Sequence, residues 1–414
     1  MDIYKKRRDE LANKLEDESL IILFSGKSLP NSEDENFPFS INRNFYYLTG
    51  LEQEDMVLFI LNHNGKMTER LFIPVFDELI AKWVGGRISL SEAKEISGIE
   101  NIAYRDSFKD FVSFTFNRII RNQNNFNLYM DLNHYHLDNI ESEGLKFANE
   151  IRNKYPAVNL SDIFHHLTKL RMVKDEYEVK CHQDALEITN QGILAMMSYS
   201  KANIYEAELE KVFELELAKN NCRELAFPTI AAGGKNATIL HYVANNKKLN
   251  DGDLFLCDLG ATKNHYCADI SRTFPVNGKF TARQKEIYQI VLNAQKIVED
   301  NARIGITTKE LNDLVVEYYR EALPKVNLNK DVSEYYFHGV SHTIGLDTHD
   351  VILEAGNTKL EAGMIISNEP GLYISDEGIG IRIEDDLLIT EDGCVNLAKD
   401  IIKEIEDIER HMSK

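Results

Sequence analysis

The sequence lacks paired cysteines. Its five, Cys181, Cys222, Cys257, Cys267 and Cys394, are scattered, odd in number and form no CxxC pair. That argues against a disulfide framework and predicts reduced thiols in a cytoplasm. Cys257 and Cys267 read as small buried hydrophobes rather than metal ligands. Long apolar runs are also lacking, and none approaches the ~18 residues of a membrane span. The opening MDIYKKRRDELANKLEDESL is charged throughout, so no signal-peptide core is expected. Basic residues are outnumbered, 47 Lys+Arg against 67 Asp+Glu, for a formal net charge of −20. This balance opposes nucleic acid and acidic membrane surfaces as partners. The glycine-rich AAGGKNAT (231–238) lacks the GK[ST] ending of a phosphate loop, and it reads instead as the loop that delivers His241.

What is present is length and clear patterning. A chain of 414 residues exceeds one ordinary core and predicts two domains. Residues 1–165 read as an α/β domain, with a helix over Tyr4–Leu15 and strands in SLIILF, MVLFIL, RLFIPV and FNLYMDL. KYPAVNLSDIF, broken by Pro156, reads as the crossing to the next domain. Residues 166–414 change character. A long helix begins near Asp175, another lies in YEAELEKVFELELAKN, and two capping boxes pair Thr281 with Gln284 and Thr307 with Glu310. Strand runs in DLFLCDLG, HYCADISRTF, GMIISNEP and GIRIEDDLLIT complete an α+β domain.

The stretch HGVSHTIGLDTHD (338–350) holds three of the twelve histidines. Imidazole is the commonest metal ligand and the proton carrier of neutral pH. The HxxxH spacing of His338 and His342 matches zinc sites on a helical face. Gly339 and Gly345, with β-branched Val340, Thr343 and Ile344 between them, instead predict an extended run and turn. The three histidines then point differently, and a metal site must take its other ligands from elsewhere.

Four acids sit where acids are expensive. Asp258 and Asp269 interrupt apolar strand sequence at the facing ends of one hairpin, and Glu369 and Glu384 do the same in a second. Singly, each reads as a strand-end acid meeting solvent or a salt bridge. Together, and beside a histidine-rich turn, they indicate a buried cation site. Mostly hard oxygen donors with one imidazole suit Mn²⁺ better than a thiolate-rich zinc site. Four negative charges call for two divalent ions, and a pair about 3.5–4 Å apart polarises a carbonyl and holds a bridging hydroxide.

The motifs ILHYVANN, GDLFLCDLG, ADISRTFPVNGKFT, HGVSHTIGLDTHD, NEPGLY and GIRIEDD resemble those of the metallopeptidase clan of methionine aminopeptidase, prolidase and aminopeptidase P. SEDENFPFSINRNFYYLTGLEQED and KWVGGRIS resemble the N-terminal domain of aminopeptidase P. The resemblance covers nearly the whole chain. One departure is Thr348, where the histidine motif usually carries an aliphatic residue. The resemblance implies an N-terminal α/β domain followed by a catalytic domain of the pita-bread fold. It implies Asp258, Asp269, His342, Glu369 and Glu384 as ligands of two divalent ions, with Asp269 and Glu384 bridging. Asp258 then binds one ion, and His342 with Glu369 the other. It further implies His241, His338 and His349 as cleft residues that stabilise the tetrahedral intermediate, and Glu369 as proton shuttle. Tyr373 and Arg382 would orient the carboxylates. Asp34 and Trp83 match residues of the N-terminal domain that reach a substrate cleft, Asp34 that of a neighbouring subunit, so a homo-oligomer, at least a dimer, is expected. The other reading of these two is a solvated acidic loop and a core tryptophan. His134, His136, His165 and His166 belong to no motif and are expected at the surface.

The function implied is hydrolysis of the bond between an N-terminal residue and a following proline, on a peptide substrate. An Xaa-Pro dipeptidase is the alternative, distinguished by peptide length. A non-peptidase of the same fold, such as a creatinase-like hydrolase or a metal-free binding module, is the third reading. It is disfavoured because all five ligand positions are filled.

Overall fold

The computed structural model describes residues 3–122, 126–133, 136 and 138–413. The chain divides into two compact units between Leu170 and Arg171.

The first unit is built on a six-stranded sheet. Its strands are β1 (Ser19–Phe24), β2 (Val57–His63), β3 (Lys66–Ile73), β4 (Ile102–Tyr104), β5 (Phe126–Met130) and β6 (Val158–Asp162), in the order β4-β3-β2-β1-β5-β6. β1, β2 and β3 pair antiparallel, while β4, β5 and β6 join in parallel. Helix α1 (Ile3–Ala12) precedes β1, α2 (Arg43–Thr49), α3 (Glu78–Val84), α4 (Leu90–Ser97), α5 (Phe108–Asn122) and α6 (Glu143–Lys154) lie between strands, and α7 (Phe164–Arg171) follows β6. One face buries Phe24, Phe72, Phe108, Phe116 and Phe147 with the aliphatic residues of β1 and β5. β1 is apolar at five of its positions and lies buried throughout, as a central strand with both faces covered must be.

Two expectations need correction. The first helix stops at Ala12, three residues early, because the turn at Asn13 and Lys14 carries Leu15 down into the core. KYPAVNLSDIF is no crossing. Its second half is β6, the edge strand, held in register by Val158 opposite Phe126 and Asp162 opposite Met130. An edge strand with one covered face alternates polar and apolar residues and so resembles a linker. His134 lies outside the described residues, His136 and His165 are exposed, and His166 is half-buried.

The second unit begins with α8 (Glu176–Tyr199), whose capping box joins Asp175 and Glu178, and α9 (Glu206–Lys219). A three-stranded sheet follows, β7 (Ile230–Gly233), β8 (Leu254–Leu259) and β11 (Ile270–Pro275), in the order β11-β8-β7. The short β9 (Thr262–Lys263) and β10 (Tyr266–Cys267) close the turn between β8 and β11. Helices α10 (Ala282–Asn301) and α11 (Thr308–Ala322) start at the expected capping boxes of Thr281 with Gln284 and Thr307 with Glu310. A second three-stranded sheet holds β12 (Ile365–Asn368), β15 (Asp385–Thr390) and β16 (Gly393–Asn396). β13 (Gly371–Ile374) and β14 (Ile379–Arg382) form a hairpin, and α12 (Ile405–Met412) ends the unit. One large apolar core joins these helices and sheets. Among the described residues no helix is long and apolar enough to cross a membrane.

Candidate metal centre

Two antiparallel strand pairs carry the four acids. In the first, Asp258 of β8 stands opposite Ser271 of β11, and Asp269 immediately precedes β11. Gly260 makes that turn possible, since a Cβ there would lie 1.8 Å from the Ala268 carbonyl oxygen. In the second, Asn368 of β12 pairs with Asp385 of β15, so Glu369 and Glu384 face each other just beyond the ladder. The histidine stretch runs extended beside β12, as its composition predicts. Ile344 N donates to Ile365 O, Ser367 N to His342 O and Glu369 N to Val340 O, all at 2.9–3.0 Å. Thr348, the departure from the usual motif, uses its hydroxyl to donate to Ala226 O at 3.1 Å.

This brings Asp269, His342 and Glu384 together, each offering a ligand atom within 4.8 Å of the others. His342 Nε2 lies 3.5 Å from Asp269 Oδ2 and 3.3 Å from Glu369 Oε1. Asp258 reaches the group through Arg382, whose Nη2 donates to Asp258 Oδ2 at 2.5 Å. Its other oxygen, Oδ1, is buried without a hydrogen bond. Burial raises the carboxyls of Asp269 and Glu384 well above their ordinary range, and the charges of their neighbours raise them further. Burial likewise pushes Glu369 up to about 7. A partnerless carboxylate oxygen amid acids that repel one another is a donor set short of positive charge. Divalent ions would supply it, and the residues fit them.

A hydrogen-bonded chain leads outward from the acids. Arg382 Nε donates to Ser271 Oγ at 2.7 Å, and its Nη1 to Tyr373 OH at 3.0 Å. Tyr373 OH lies 2.9 Å from His338 Nε2, and His338 Nδ1 lies 2.8 Å from Gly339 O. With Nδ1 donating to that carbonyl, Nε2 accepts from the tyrosine. Burial and the Arg382 charge push His338 down to about 4, which keeps the ring neutral. The His349 ring packs edge-on against His342 at 4.2 Å between centroids. His241, exposed in the loop after β7, acts electrostatically on both His338 and His349.

Sequence reasoning missed several supports. Asp386 Oδ2 accepts from the Asp269 amide at 3.3 Å and lies 2.8 Å from His182 Nε2. Behind His349, Asp350 is buried between Arg171 at 2.6 Å and Lys174 at 3.0 Å, and Arg171 also binds Asp347 at 2.8 Å. Cys257 and Cys267 are buried, and their thiols lie near carbonyl oxygens, in keeping with packing roles. In the first unit, Asp34 is exposed and Trp83 is 83% exposed on α3, so the tryptophan is not a core residue.

The sequence profile of metallopeptidase family M24 matches residues 180–391. The chain belongs to metallopeptidase family M24. The profile of the aminopeptidase P N-terminal domain matches residues 4–126 of this M24 protein. An Xaa-Pro aminopeptidase of Haemophilus influenzae is 34% identical over 433 residues, covering 99% of this chain and 97% of that protein. A structure from Bacillus anthracis, described as a candidate aminopeptidase P, is 42% identical, with a TM-score of 0.96 over 99% of this chain and 98% of that one. Proline aminopeptidase P II from Yersinia pestis is 30% identical, with a TM-score of 0.89 and 99% coverage of both chains. The M24 chain therefore has the pita-bread catalytic fold, preceded by an α/β domain of the aminopeptidase P type.

Proposed function

We propose that this M24 chain is an Xaa-Pro aminopeptidase, a dinuclear metallo-exopeptidase that releases the residue preceding a proline. Residues 1–165 form its N-terminal domain and 166–414 its catalytic domain. The observation that carries the reading is the convergence of Asp269, His342 and Glu384, with Glu369 3.3 Å from His342. Asp258, linked to them through Arg382, completes the proposed donor set. The full-length similarity to Xaa-Pro aminopeptidases supports the substrate class. The hard-oxygen donor set supports Mn²⁺. When bound, the ions supply Lewis acidity toward water and the scissile carbonyl.

The rest is the work of side chains. Glu369, beside His342, takes the proton of the attacking water on a carboxylate oxygen and delivers it to the departing proline nitrogen. That nitrogen carries no hydrogen before cleavage, so a delivered proton is what lets it leave. Arg382 and Ser271 hold Asp258 and Glu384 in place. His349 and His241 line the cleft as donors toward the developing oxyanion. His338, engaged through both nitrogens, holds Tyr373 and through it Arg382. Asp34 receives the substrate ammonium in the site of a neighbouring subunit, beside Trp83, which makes the active form a homo-oligomer. The five scattered cysteines, odd in number and without a CxxC pair, support a reducing cytoplasm.

Hydrolysis of Xaa-Pro-Yaa and Xaa-Pro peptides, assayed with each of several divalent ions added to stripped protein, tests the reading. Cleavage of the tripeptide with release of the first residue is expected. Activity on dipeptides alone would make the enzyme a dipeptidase, and activity on neither would overturn the assignment.

A further inference from the structure

Glu206 opens α9 and is completely buried. A buried carboxylate is costly unless donors fill its oxygens. Four donors fill them, and all four come from the stretch that runs from the last residue of β7 to Lys247. Oε1 accepts from Gly233 N and Asn236 Nδ2, each at 2.8 Å, while Oε2 accepts from Tyr242 OH at 2.9 Å and Lys247 N at 2.8 Å. The amino end of the helix adds a favourable field. These partners mark the beginning, middle and end of the segment 233–247, which carries His241.

The local packing fits the same purpose. At Gly233 a Cβ would lie 2.2 Å from Leu249 Cδ2 and 3.5 Å from Glu206 Oε1, so the amide reaches the carboxylate where a side chain would crowd. Leu240 and Tyr242, on either side of His241, pack against a cluster that includes Tyr373. One step further along α9, Glu210 accepts from Asn245 Nδ2 at 3.2 Å, and Asn245 also binds Thr229 O and Ala231 N. The first turns of α9 therefore staple both flanks of the loop.

We propose that Glu206 is the positioning residue for His241. It fixes the 233–247 loop through four charge-assisted hydrogen bonds, so that the imidazole enters the cleft at a set height and angle. This assignment rests on the reading of His241 as a cleft residue. A glutamine at 206 keeps the shape but turns an amide NH₂ toward donors, which releases one side of the clasp.

The test uses the metal-loaded full chain and an Xaa-Pro-Yaa tripeptide. Glu206→Gln is expected to lower kcat/KM by about 100-fold, with metal content unchanged and faster hydrogen exchange at the Gly233 and Lys247 amides. In a His241→Ala background the same change should cost less than about twofold, because the residue it positions is gone. Tyr242→Phe removes one of the four donors and should show the same coupling at smaller size, so it carries the test if Glu206→Gln does not fold. Equal losses in the two backgrounds overturn this assignment alone. A His241→Ala enzyme with wild-type kinetics overturns the role given to His241 and this assignment with it.

Discussion

The Ser271 hydroxyl donates to Glu384 Oε2 at 2.8 Å. Its oxygen in turn accepts from Arg382 Nε, so one small side chain fixes a metal-facing acid and the guanidinium behind it. Glu384 is thus held by a neutral partner. Replacing it with an isosteric amide removes the acid's charge without emptying space. Glu384→Gln is expected to abolish peptide hydrolysis and lower the bound metal per chain, with an unchanged circular dichroism spectrum. Near-wild-type turnover in metal-free buffer would end the dinuclear reading.

The two histidines whose rings touch, His342 and His349, should separate cleanly. His342→Ala removes a ligand and should release metal. His349→Ala should retain metal, measured by elemental analysis, while kcat falls by about 100-fold, as when an oxyanion donor is lost. Equal metal loss in both variants would show that the roles are exchanged or shared.

Stripping the metal leaves a pH signature. In the metal-free protein, Glu369 is pushed up to about 7 from an ordinary 4.5, and Asp269 and Glu384 move in the same direction. The folded form then holds protons that the unfolded chain has already released. Their stabilising effect is complete below the unfolded values and is lost as pH rises through the folded ones. The buried Asp350 and Asp385, whose carboxyls are held below 3.8, act beneath that window. Below about pH 6.5 His338, His342 and His349, held under their ordinary value, oppose this trend, so the Tm of stripped protein should fall from about pH 6.5 to about pH 8, and added divalent metal should restore more of it at the higher pH. A flat profile would mean that the acids are not crowded.

Asp34 gives a prediction about assembly. Asp34→Asn should raise KM for peptides with a free amino terminus and leave N-acetylated analogues unaffected, because one ion pair to the ammonium disappears. Size-exclusion with light scattering should show at least a dimer. A fully active monomer, or unchanged kinetics, would remove Asp34 from the site.

The buried cluster behind His349 predicts a stability effect. Arg171→Met leaves Asp350 with Lys174 and removes the ion pair to Asp347. Denaturant unfolding of the catalytic unit should weaken by about 3–5 kcal/mol, as for a broken buried pair. A loss under about 1 kcal/mol would place the pair among those that contribute little.

The cluster of acids and histidine was legible because its residues violate their surroundings. Charges at 258, 269, 369 and 384 interrupt apolar strands, and three histidines crowd one glycine-flanked run. Its supports were not legible, because nothing in their setting is odd. Glu206 sits in an acid-rich helix start, Ser271 in a strand that tolerates serine, and Arg171 and Lys174 in a run of mixed charge. Glu384, Asp385 and Asp386 read as one acidic patch. Folded, all three are buried and turn to different partners. Glu384 faces the centre, Asp385 meets Arg272 and Lys403, and Asp386 meets His182 and the Asp269 amide. The edge strand β6 was misread for a related reason, since polar alternation marks one covered face as readily as it marks a connection.

The placement of Arg171 and Lys174 bears on where this protein can be divided. Both lie in sequence ahead of residue 180, where the similarity to the peptidase family begins, yet both are folded into the loop that carries His349. A fragment trimmed at that homology border would strand the Asp350 carboxylate in an apolar interior. A shuffled or split version of the enzyme that keeps an ordered catalytic loop must therefore be cut before Arg171, which leaves the clasp and the histidine it steadies in one piece.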